Sequence, residues 1–169
     1  MILPARPEDA KTISDLVNSA YRGDTSRQGW TTEADLLDGT RTDASAIGEI
    51  MKREGTILLK YVEQDKIIGC VELAREGDNL YLGMLTVQPG LQGGGIGKQL
   101  LKAAEEEALR QCCQTIFMTV ISARHELIAW YTRHGYRDTG KRKPFEVPDT
   151  RWGVPKSKLE FVVLEKSIP

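Results

Sequence analysis

The fold of this chain is decided by one stretch of its sequence, Val87-Gln88-Pro89-Gly90-Leu91-Gln92-Gly93-Gly94-Gly95-Ile96-Gly97-Lys98. Residues 80–87 form the apolar run of a buried strand, and residues 99–109 have the apolar spacing of an amphipathic helix. Glycine lets the backbone approach a ligand closely, and the first N–H groups of a helix have no partner within it. The helix dipole adds partial positive charge at the same end. The stretch therefore predicts a binding site for an oxyanion, most often a phosphate.

The spacing of these glycines excludes two common phosphate-binding patterns. The P-loop of nucleoside-triphosphate-binding proteins needs a glycine where this chain has Gln92, and a serine or threonine where it has Gln99. The dinucleotide pattern G-x-G-x-x-G fails at its last glycine, which falls on Lys98 or Leu100. A glycine-rich turn without a ligand is the structural alternative. It is disfavoured because three consecutive glycines are conformationally costly.

The composition limits the partners that we expect. With 169 residues, of which 40% are hydrophobic and 28% charged, the sequence predicts one domain over residues 1–169. The net charge of −1 predicts no nucleic-acid partner. No apolar run approaches the roughly 20 residues that a membrane span needs, and the N-terminus lacks the apolar segment of a signal peptide. We therefore expect a cytoplasmic protein that does not contact a membrane.

The cysteines give no indication of a metal site or a disulfide framework. Cys112 and Cys113 are adjacent, which is poor geometry for a disulfide bond between them. With Cys70 the chain has three cysteines, so they cannot all pair with one another. No Cys/His spacing typical of zinc occurs. The sequence predicts reduced thiols, no bound metal and no catalytic cysteine.

Hydrophobic periodicity predicts the order of strands and helices. An edge strand at residues 2–6 precedes helical segments near residues 8–21, 32–37 and 44–53. Strands of antiparallel type follow, and then a β-α-β unit and two closing strands; their predicted ranges are 56–63, 67–74, 80–87, 115–121, 136–139 and 159–165, with helices at 99–109 and 125–133 and a loop over 140–157. This order predicts a mixed α/β sheet covered by helices.

Two motifs resemble those of one known family. The pattern Gln92-x-x-Gly95-x-Gly97, after a strand that ends in Val-x-Pro, resembles the pyrophosphate-binding motif of the GNAT superfamily of N-acetyltransferases. Further along, Tyr131 stands four residues before Gly135-Tyr136, which is similar to a second GNAT segment. The predicted order of elements is also that of the GNAT fold. The resemblance spans residues 80–136 and implies a central, mostly antiparallel sheet with helices on both faces.

The resemblance also implies a reaction and a set of site residues. The family moves an acetyl group from acetyl-CoA to an amine by direct attack, and its strand before the glycine loop splays from its neighbour to pair with the pantetheine arm. In this chain that role falls to the backbone of Leu85, Thr86 and Val87. The pyrophosphate would be held by the loop residues Gln92, Gly93, Gly94, Gly95, Ile96, Gly97 and Lys98. The family's tyrosine often protonates the departing thiolate, which implies this role for Tyr131. The alternative is that Tyr131 only fills the groove between helix and sheet, as we expect of its neighbour Trp130.

The chain departs from the family pattern at two places. Many members have an asparagine seven residues before the tyrosine, where this chain has Arg124. Arg124 either contacts the cofactor phosphate or is a solvated turn residue. Members often use a glutamate as base on the strand before the loop, but residues 80–87 contain no acid. The candidates for the base are Glu72, Glu33, Asp35 and His134, each of which also has a structural explanation.

The acceptor amine is only weakly indicated by the sequence. In this fold the segments before the hairpin usually select the acceptor, and here they contain Trp30 and Glu33 as well as Tyr21 and Arg41. Together with Glu72, the aromatic and acidic residues favour a cationic amine, whereas Arg41 favours a carboxylate. We expect a small-molecule amine substrate and leave a homodimer open. A protein or peptide N-acetyltransferase and a catalytically silent acyl-CoA-binding module are the alternatives.

Overall fold

The computed structural model of the protein describes residues 1–22, 26–27, 29, 31–145 and 153–169. Trp30, a predicted acceptor-side residue, lies outside the described residues. The strands are β1 (Ile2–Pro4), β2 (Leu37–Asp38), β3 (Thr56–Glu63), β4 (Lys66–Glu76), β5 (Asn79–Val87), β6 (Thr115–Ile121), β7 (Arg137–Pro144), β8 (Val154–Pro155) and β9 (Glu160–Ser167). The α-helices are α1 (Ala10–Tyr21), α2 (Ala44–Lys52), α3 (Ile96–Arg110) and α4 (His125–Arg133).

Seven of the strands form one sheet in the order β1-β3-β4-β5-β6-β9-β7. All neighbouring pairs in this sheet are antiparallel except β5 and β6, which are parallel. This arrangement confirms the predicted mixed, mostly antiparallel sheet. Strand β1, which contains Pro4, lies at an edge as predicted, where a missing N–H donor is tolerated.

Helices cover both faces of the sheet, as predicted. Successive side chains of a strand point to opposite faces. On β3, Leu58 packs in an apolar cluster with residues of α1 and α2, whereas Leu59 belongs to a second cluster that contains residues of α3 and α4. Among the described residues, no helix is long and apolar enough to cross a membrane.

The predicted helix at residues 32–37 is wrong. The Thr32 hydroxyl accepts a hydrogen bond from Ala34 N at 3.0 Å, which stabilises a turn. Residues 34–36 form that turn, and β2 then pairs with β8 through Leu37 and Pro155. The predicted loop over 140–157 contains strand segments, because β7 pairs with β9 as far as Pro144 and β8 pairs with β2; residues 146–152 lie outside the described residues. Strand β7 continues to Pro144, and β8 lies at residues 154–155.

Strands β5 and β6 separate before they reach the glycine loop. Their pairing is limited to three positions, of which the last is Tyr81 opposite Phe117, although β5 continues to Val87. On its other side β5 pairs with β4, where the register shifts between Cys70 and Glu72. Met84 has a φ of +49°, in the left-handed region that non-glycine residues rarely adopt. A bulge of this kind bends a strand, and the separated strands leave an opening at the centre of the sheet.

Candidate active site

The glycine loop presents a series of free backbone donors at the start of α3. Gly93 and Gly95 have φ values of +90° and +87°, and a Cβ atom at either position would meet no atom within 4 Å. The first helical hydrogen bond of α3 runs from Gln99 N to Gly95 O at 3.1 Å. Within the described parts of the chain, the N–H groups from Gly93 to Lys98 have no acceptor. This end of a 15-residue helix is therefore suited to an anion.

A cavity of about 620 Å³ lies beside these donors, and we call it the loop cavity. Seven of the predicted cofactor-binding residues line it: Leu85, Val87, Gln92, Gly93, Gly95, Gly97 and Lys98. Its other side is formed by α4, through residues that include Trp130, Tyr131 and His134. Its volume is within the range of small-molecule sites.

A second cavity, of about 460 Å³, lies on the other side of the opening between β5 and β6. Four arginines line it, Arg22, Arg41, Arg53 and Arg124, together with Glu33 and Glu72. We call it the arginine cavity. It shares three lining residues with the loop cavity, namely Leu85, Leu127 and Tyr131.

Tyr131 therefore lies where the two cavities adjoin. Its side chain is 4% exposed, and its ring packs edge-on against Trp130 and Tyr136, with centroid distances of 5.1 and 5.7 Å. Its hydroxyl has no hydrogen bond to any residue that the structure describes. Burial raises the pKa of Tyr131 well above its ordinary value, so the phenol is protonated at neutral pH. The ring fills the groove between helix and sheet, while its hydroxyl group stays available as a donor.

The sequence matches the family described as "Acetyltransferase (GNAT) domain" over residues 25–147, which is more than half of the chain. The chain belongs to the GNAT acetyltransferases. Members of this family are acyltransferases, and the family uses acetyl-CoA. No curated protein matches the sequence significantly.

Solved structures of other GNAT proteins share the fold. The ribosomal-protein-S18-alanine N-acetyltransferase of Escherichia coli superimposes with a TM-score of 0.74 at 14% identity, covering 99% of this chain and 93% of that chain. The ribosomal-protein-alanine N-acetyltransferase of Brucella melitensis gives a TM-score of 0.73 at 19% identity, with 99% of each chain covered. A GNAT-family acetyltransferase of Staphylococcus aureus gives 0.71 at 16% identity, covering 100% and 99%. At such low identities the likeness concerns the fold alone.

Besides Arg124, which is described below, three of the residues predicted on the cofactor side do not line the loop cavity. The Thr86 side chain is buried and donates a hydrogen bond to Met84 O at 2.8 Å. Gly94 and Ile96 also lie outside the lining, and Ile96 packs in the apolar cluster below α3. Their contribution to cofactor binding remains a prediction about their backbone N–H groups.

Gln92 and Gly97 shape the loop cavity rather than only bordering it. The Gln92 side chain donates to Thr31 Oγ1 at 2.7 Å and to Val87 O at 3.1 Å, which connects the loop to the end of β5. A Cβ atom at Gly97 would lie 3.2 Å from the Trp130 ring, so glycine allows α4 to pack closely on α3. Trp130, expected in the core, also lines the loop cavity.

Arg124 is buried and paired within the protein, and its contact with the cofactor phosphate stays a prediction. Its guanidinium donates to Glu33 Oε2 at 3.2 Å and to Thr31 O, and it lies 5.4 Å from the centroid of the Tyr21 ring. Its side chain is 8% exposed, so the solvated-turn alternative is wrong. Arg124 lines the arginine cavity, and it is not among the residues that line the loop cavity.

Glu33 is held between two arginines. Arg22 Nε lies 3.0 Å from Glu33 Oε1, and Arg124 binds the other oxygen. All three side chains are less than a tenth exposed. We call this group the buried triad. Both carboxylate oxygens of Glu33 are therefore engaged in charge-assisted hydrogen bonds.

The structure separates the candidates for the general base of this GNAT protein. Asp35 is exposed, pairs with Arg27 at 2.8 Å and lines neither cavity. His134 lines the loop cavity, with its Nδ1 atom 2.7 Å from Trp130 O. Glu72, on β4, lines the arginine cavity and has no hydrogen bond or ion pair to any described residue. Burial raises the pKa of the Glu72 carboxyl, and Arg53 and Arg41 oppose this shift.

Two residues next to the cavities were not fully predicted from the sequence. Tyr21 was named only as an acceptor-side residue, and Arg22 was not named. The Tyr21 hydroxyl, at the end of α1, donates to Leu85 O on the separated part of β5. Arg22 belongs to the buried triad. Tyr21 continues the apolar face of α1, so its periodicity indicates burial and not a role in the site, and Arg22 follows the helix without a periodic signal. Their roles depend on contacts with residues 64 and 11 positions further along the chain.

Proposed function

We propose that this GNAT protein transfers the acetyl group of acetyl-CoA to the amine of a small molecule. The observation that carries this proposal is the position of Tyr131 between the loop cavity and the arginine cavity. A donor bound from one side and an acceptor bound from the other would meet at its hydroxyl. We also propose that the chain is one domain, because both apolar clusters pack on the same sheet.

The loop cavity fits the pyrophosphate of a coenzyme. The N–H groups from Gly93 to Lys98 are free to donate within the described parts of the chain, and Gly93 and Gly95 leave the space beside them open. Lys98 adds a positive charge to the lining. On the separated part of β5, Leu85 and Val87 line the same cavity, where their backbone would orient the coenzyme arm.

When bound, acetyl-CoA supplies a thioester, whose acetyl carbon bonds to the amine nitrogen as its bond to sulfur breaks. The Glu72 carboxylate would take the proton that the amine nitrogen loses. The Tyr131 hydroxyl, kept protonated by burial, would give its proton to the sulfur. Leu85 and Leu127 border both cavities and would limit water at the reacting atoms.

A small acceptor is supported by the volume of the arginine cavity. At about 460 Å³ it is within the range of sites for small molecules. The buried triad occupies part of its lining and joins residues from three parts of the chain. A peptide N-terminus remains the alternative acceptor that the experiment must compare.

The proposal is tested first by adding acetyl-CoA to the purified protein. Because a ligand that binds only the folded state stabilises it, we expect the melting temperature to rise, corresponding to about 2.7 kcal/mol at a hundredfold excess over Kd. A panel of amines, amino acids and short peptides is then assayed for release of free CoA. We expect turnover of small amines. An unchanged melting temperature would reject the proposal, and turnover of peptides alone would reject the small acceptor.

Tyr131→Phe tests the role of the hydroxyl. Loss of a general acid should lower kcat on the order of 10²-fold, while the stabilisation by acetyl-CoA persists. The matched control is Tyr136→Phe. Tyr136 lines neither cavity, and its buried hydroxyl has no hydrogen-bond partner among the described residues. A catalytically silent acyl-CoA-binding module would show no CoA release with either variant or with the unmodified protein.

A further inference from the structure

The charges of the arginine cavity are unequal. Among the described residues, four arginines line it against two glutamates, so this part of the lining is net positive even when both glutamates are ionised. The buried triad accounts for two of the arginines and one glutamate. The other arginine and glutamate side chains in the described lining are Arg41, Arg53 and Glu72, which lie before α2, directly after α2 and on β4.

Two of the four arginines are already engaged by the protein. Arg22 binds Glu33 and donates to Thr40 O at 3.2 Å. Arg124 binds Glu33 and donates to Thr31 O. By contrast, the side chains of Arg41 and Arg53 have no hydrogen bond or ion pair to any described residue. Arg41 is partly buried and Arg53 is exposed.

This pattern disfavours a cationic acceptor. A second positive charge on the substrate, as in a polyamine, would be placed among unpaired guanidinium groups, where like charges repel. The same field destabilises an ammonium group, which favours the neutral amine that can attack a thioester. A carboxylate on the acceptor would instead supply the missing negative charge, and a guanidinium group binds carboxylates in bidentate geometry.

We propose that the acceptor is an amine that also carries a carboxylate, and that Arg41 binds this carboxylate, with Arg53 as a second cation lining the same cavity. The inference rests on the proposed function, because it names the substrate class of the same site. Of the two cations, Arg41 is the more buried, so its interaction with an anion is less screened by solvent.

The test compares acceptors that differ only in the carboxylate. CoA release is measured with alanine, alaninamide and ethylamine, and with γ-aminobutyrate against putrescine. We expect kcat/KM for each carboxylate to exceed that of its uncharged or cationic counterpart at least tenfold. Arg41→Gln should raise the KM for the carboxylates at least tenfold and leave the KM for alaninamide unchanged. Arg41→Lys keeps the positive charge but not the bidentate geometry. Its KM for the carboxylates should lie between that of the unmodified protein and that of Arg41→Gln.

Arg75→Gln is the matched control for the loss of a guanidinium group. Arg75 is exposed on β4, donates to Gly77 O at 3.0 Å and lines neither cavity. The KM values of this variant should equal those of the unmodified protein. All variants should keep the stabilisation by acetyl-CoA, because neither Arg41 nor Arg75 lines the loop cavity.

Binding gives a readout that does not depend on turnover. Tryptophan fluorescence is titrated with N-acetylalanine and with N-acetylputrescine, on the protein alone and with CoA. We expect the anionic compound to bind more tightly, and Arg41→Gln to remove the difference. A higher kcat/KM for the amides or for putrescine than for the carboxylates would overturn the inference. It would also be overturned if no carboxylate binds and none reacts. The effect of acetyl-CoA on the melting temperature is measured separately. If acetyl-CoA does not raise it, the proposed function itself fails.

Discussion

Glu72 combines a carboxylate with an environment that disfavours its charge. It is 7% exposed, and burial raises its pKa above the ordinary value of 4.5. Arg53 and Arg41 oppose the shift, and a carboxyl group whose pKa is raised by burial in a cavity is a candidate for a catalytic base. A proton acceptor with a raised pKa binds the proton of an amine more readily than an exposed carboxylate does.

The rate should therefore depend on the ionisation of Glu72. Because only the carboxylate form accepts a proton, kcat/KM should rise with pH through a limb centred above 4.5. Glu72→Gln should lower kcat on the order of 10²-fold and remove this limb. The measurement is a pH–rate profile of CoA release for both proteins. A glutamine variant that keeps the limb would show that another group is the base.

Glu72→Gln should also stabilise the fold at neutral pH. Since the pKa of Glu72 is higher in the folded protein than in the unfolded chain, the folded state binds the proton more tightly. The contribution of Glu72 to stability therefore falls as pH rises from the ordinary glutamate pKa through the raised one. Glu72→Gln should raise the melting temperature at pH 7 and lose this advantage near pH 4, as scans at both values would show.

Sequence reasoning located single residues where a local motif marks them. The role of Tyr131 was predicted from the resemblance of its segment to a GNAT motif and stays a prediction, whereas Gly135 has the left-handed φ of +94° that ends α4 as expected. The buried triad could not be predicted in this way. Arg22, Glu33 and Arg124 come from distant parts of the chain, and no spacing rule relates them. A charge that looks solvated in the sequence becomes buried only through such a partner.

At the scale of elements, the β5–loop–α3 unit was predicted almost completely, because its signals are local. The strand, the glycines and the helix are adjacent in sequence. Hydrophobic periodicity defines the strand and the helix, and the glycines mark the loop between them. The pairing of β2 with β8 was missed because it joins Leu37 to Pro155 through strands of only two residues. Such short strands have no detectable alternation, and their pairing depends on tertiary structure.

Gly95→Glu should abolish binding to the loop cavity. Its side chain would enter the space beside the free N–H groups and bring a negative charge to a site suited to anions. The positive φ of +87° should also cost about 1–2 kcal/mol of stability for any residue with a Cβ atom. We expect acetyl-CoA to leave the melting temperature of this variant unchanged.

Gly140→Glu separates the two expected effects of Gly95→Glu, namely the blocked loop cavity and the backbone strain. Gly140, on β7, has a φ of +84°, and a Cβ atom there would meet no atom within 4 Å, but the residue lines neither cavity. It should show the same loss of stability as Gly95→Glu and keep the full stabilisation by acetyl-CoA. Equal loss of the ligand effect in both variants would mean that strain, and not the loop itself, explains the result.

At the scale of the whole molecule, the buried triad connects three segments that form different parts of the site. Arg22 follows α1, Glu33 precedes β2, and Arg124 lies in the turn between β6 and α4. The same turn contacts Thr31, whose hydroxyl accepts from Gln92 of the glycine loop. The loop cavity and the arginine cavity are therefore joined by polar contacts as well as by the shared wall at Tyr131.

Glu33→Gln should consequently destabilise the whole protein. Removing its charge breaks the buried ion pairs of Glu33 with Arg22 and Arg124, and removing one partner of a buried ion pair typically costs about 3–5 kcal/mol. The matched control is Asp35→Asn, which removes the carboxylate of an exposed pair with Arg27 and should cost less than about 1 kcal/mol. Urea denaturation monitored by circular dichroism gives both free energies of unfolding. Equal costs for the two variants would show that the triad contributes no more than a surface ion pair. A large cost for Glu33→Gln alone, with acetyl-CoA still raising the melting temperature, would show that the triad stabilises the acceptor side without belonging to the coenzyme site.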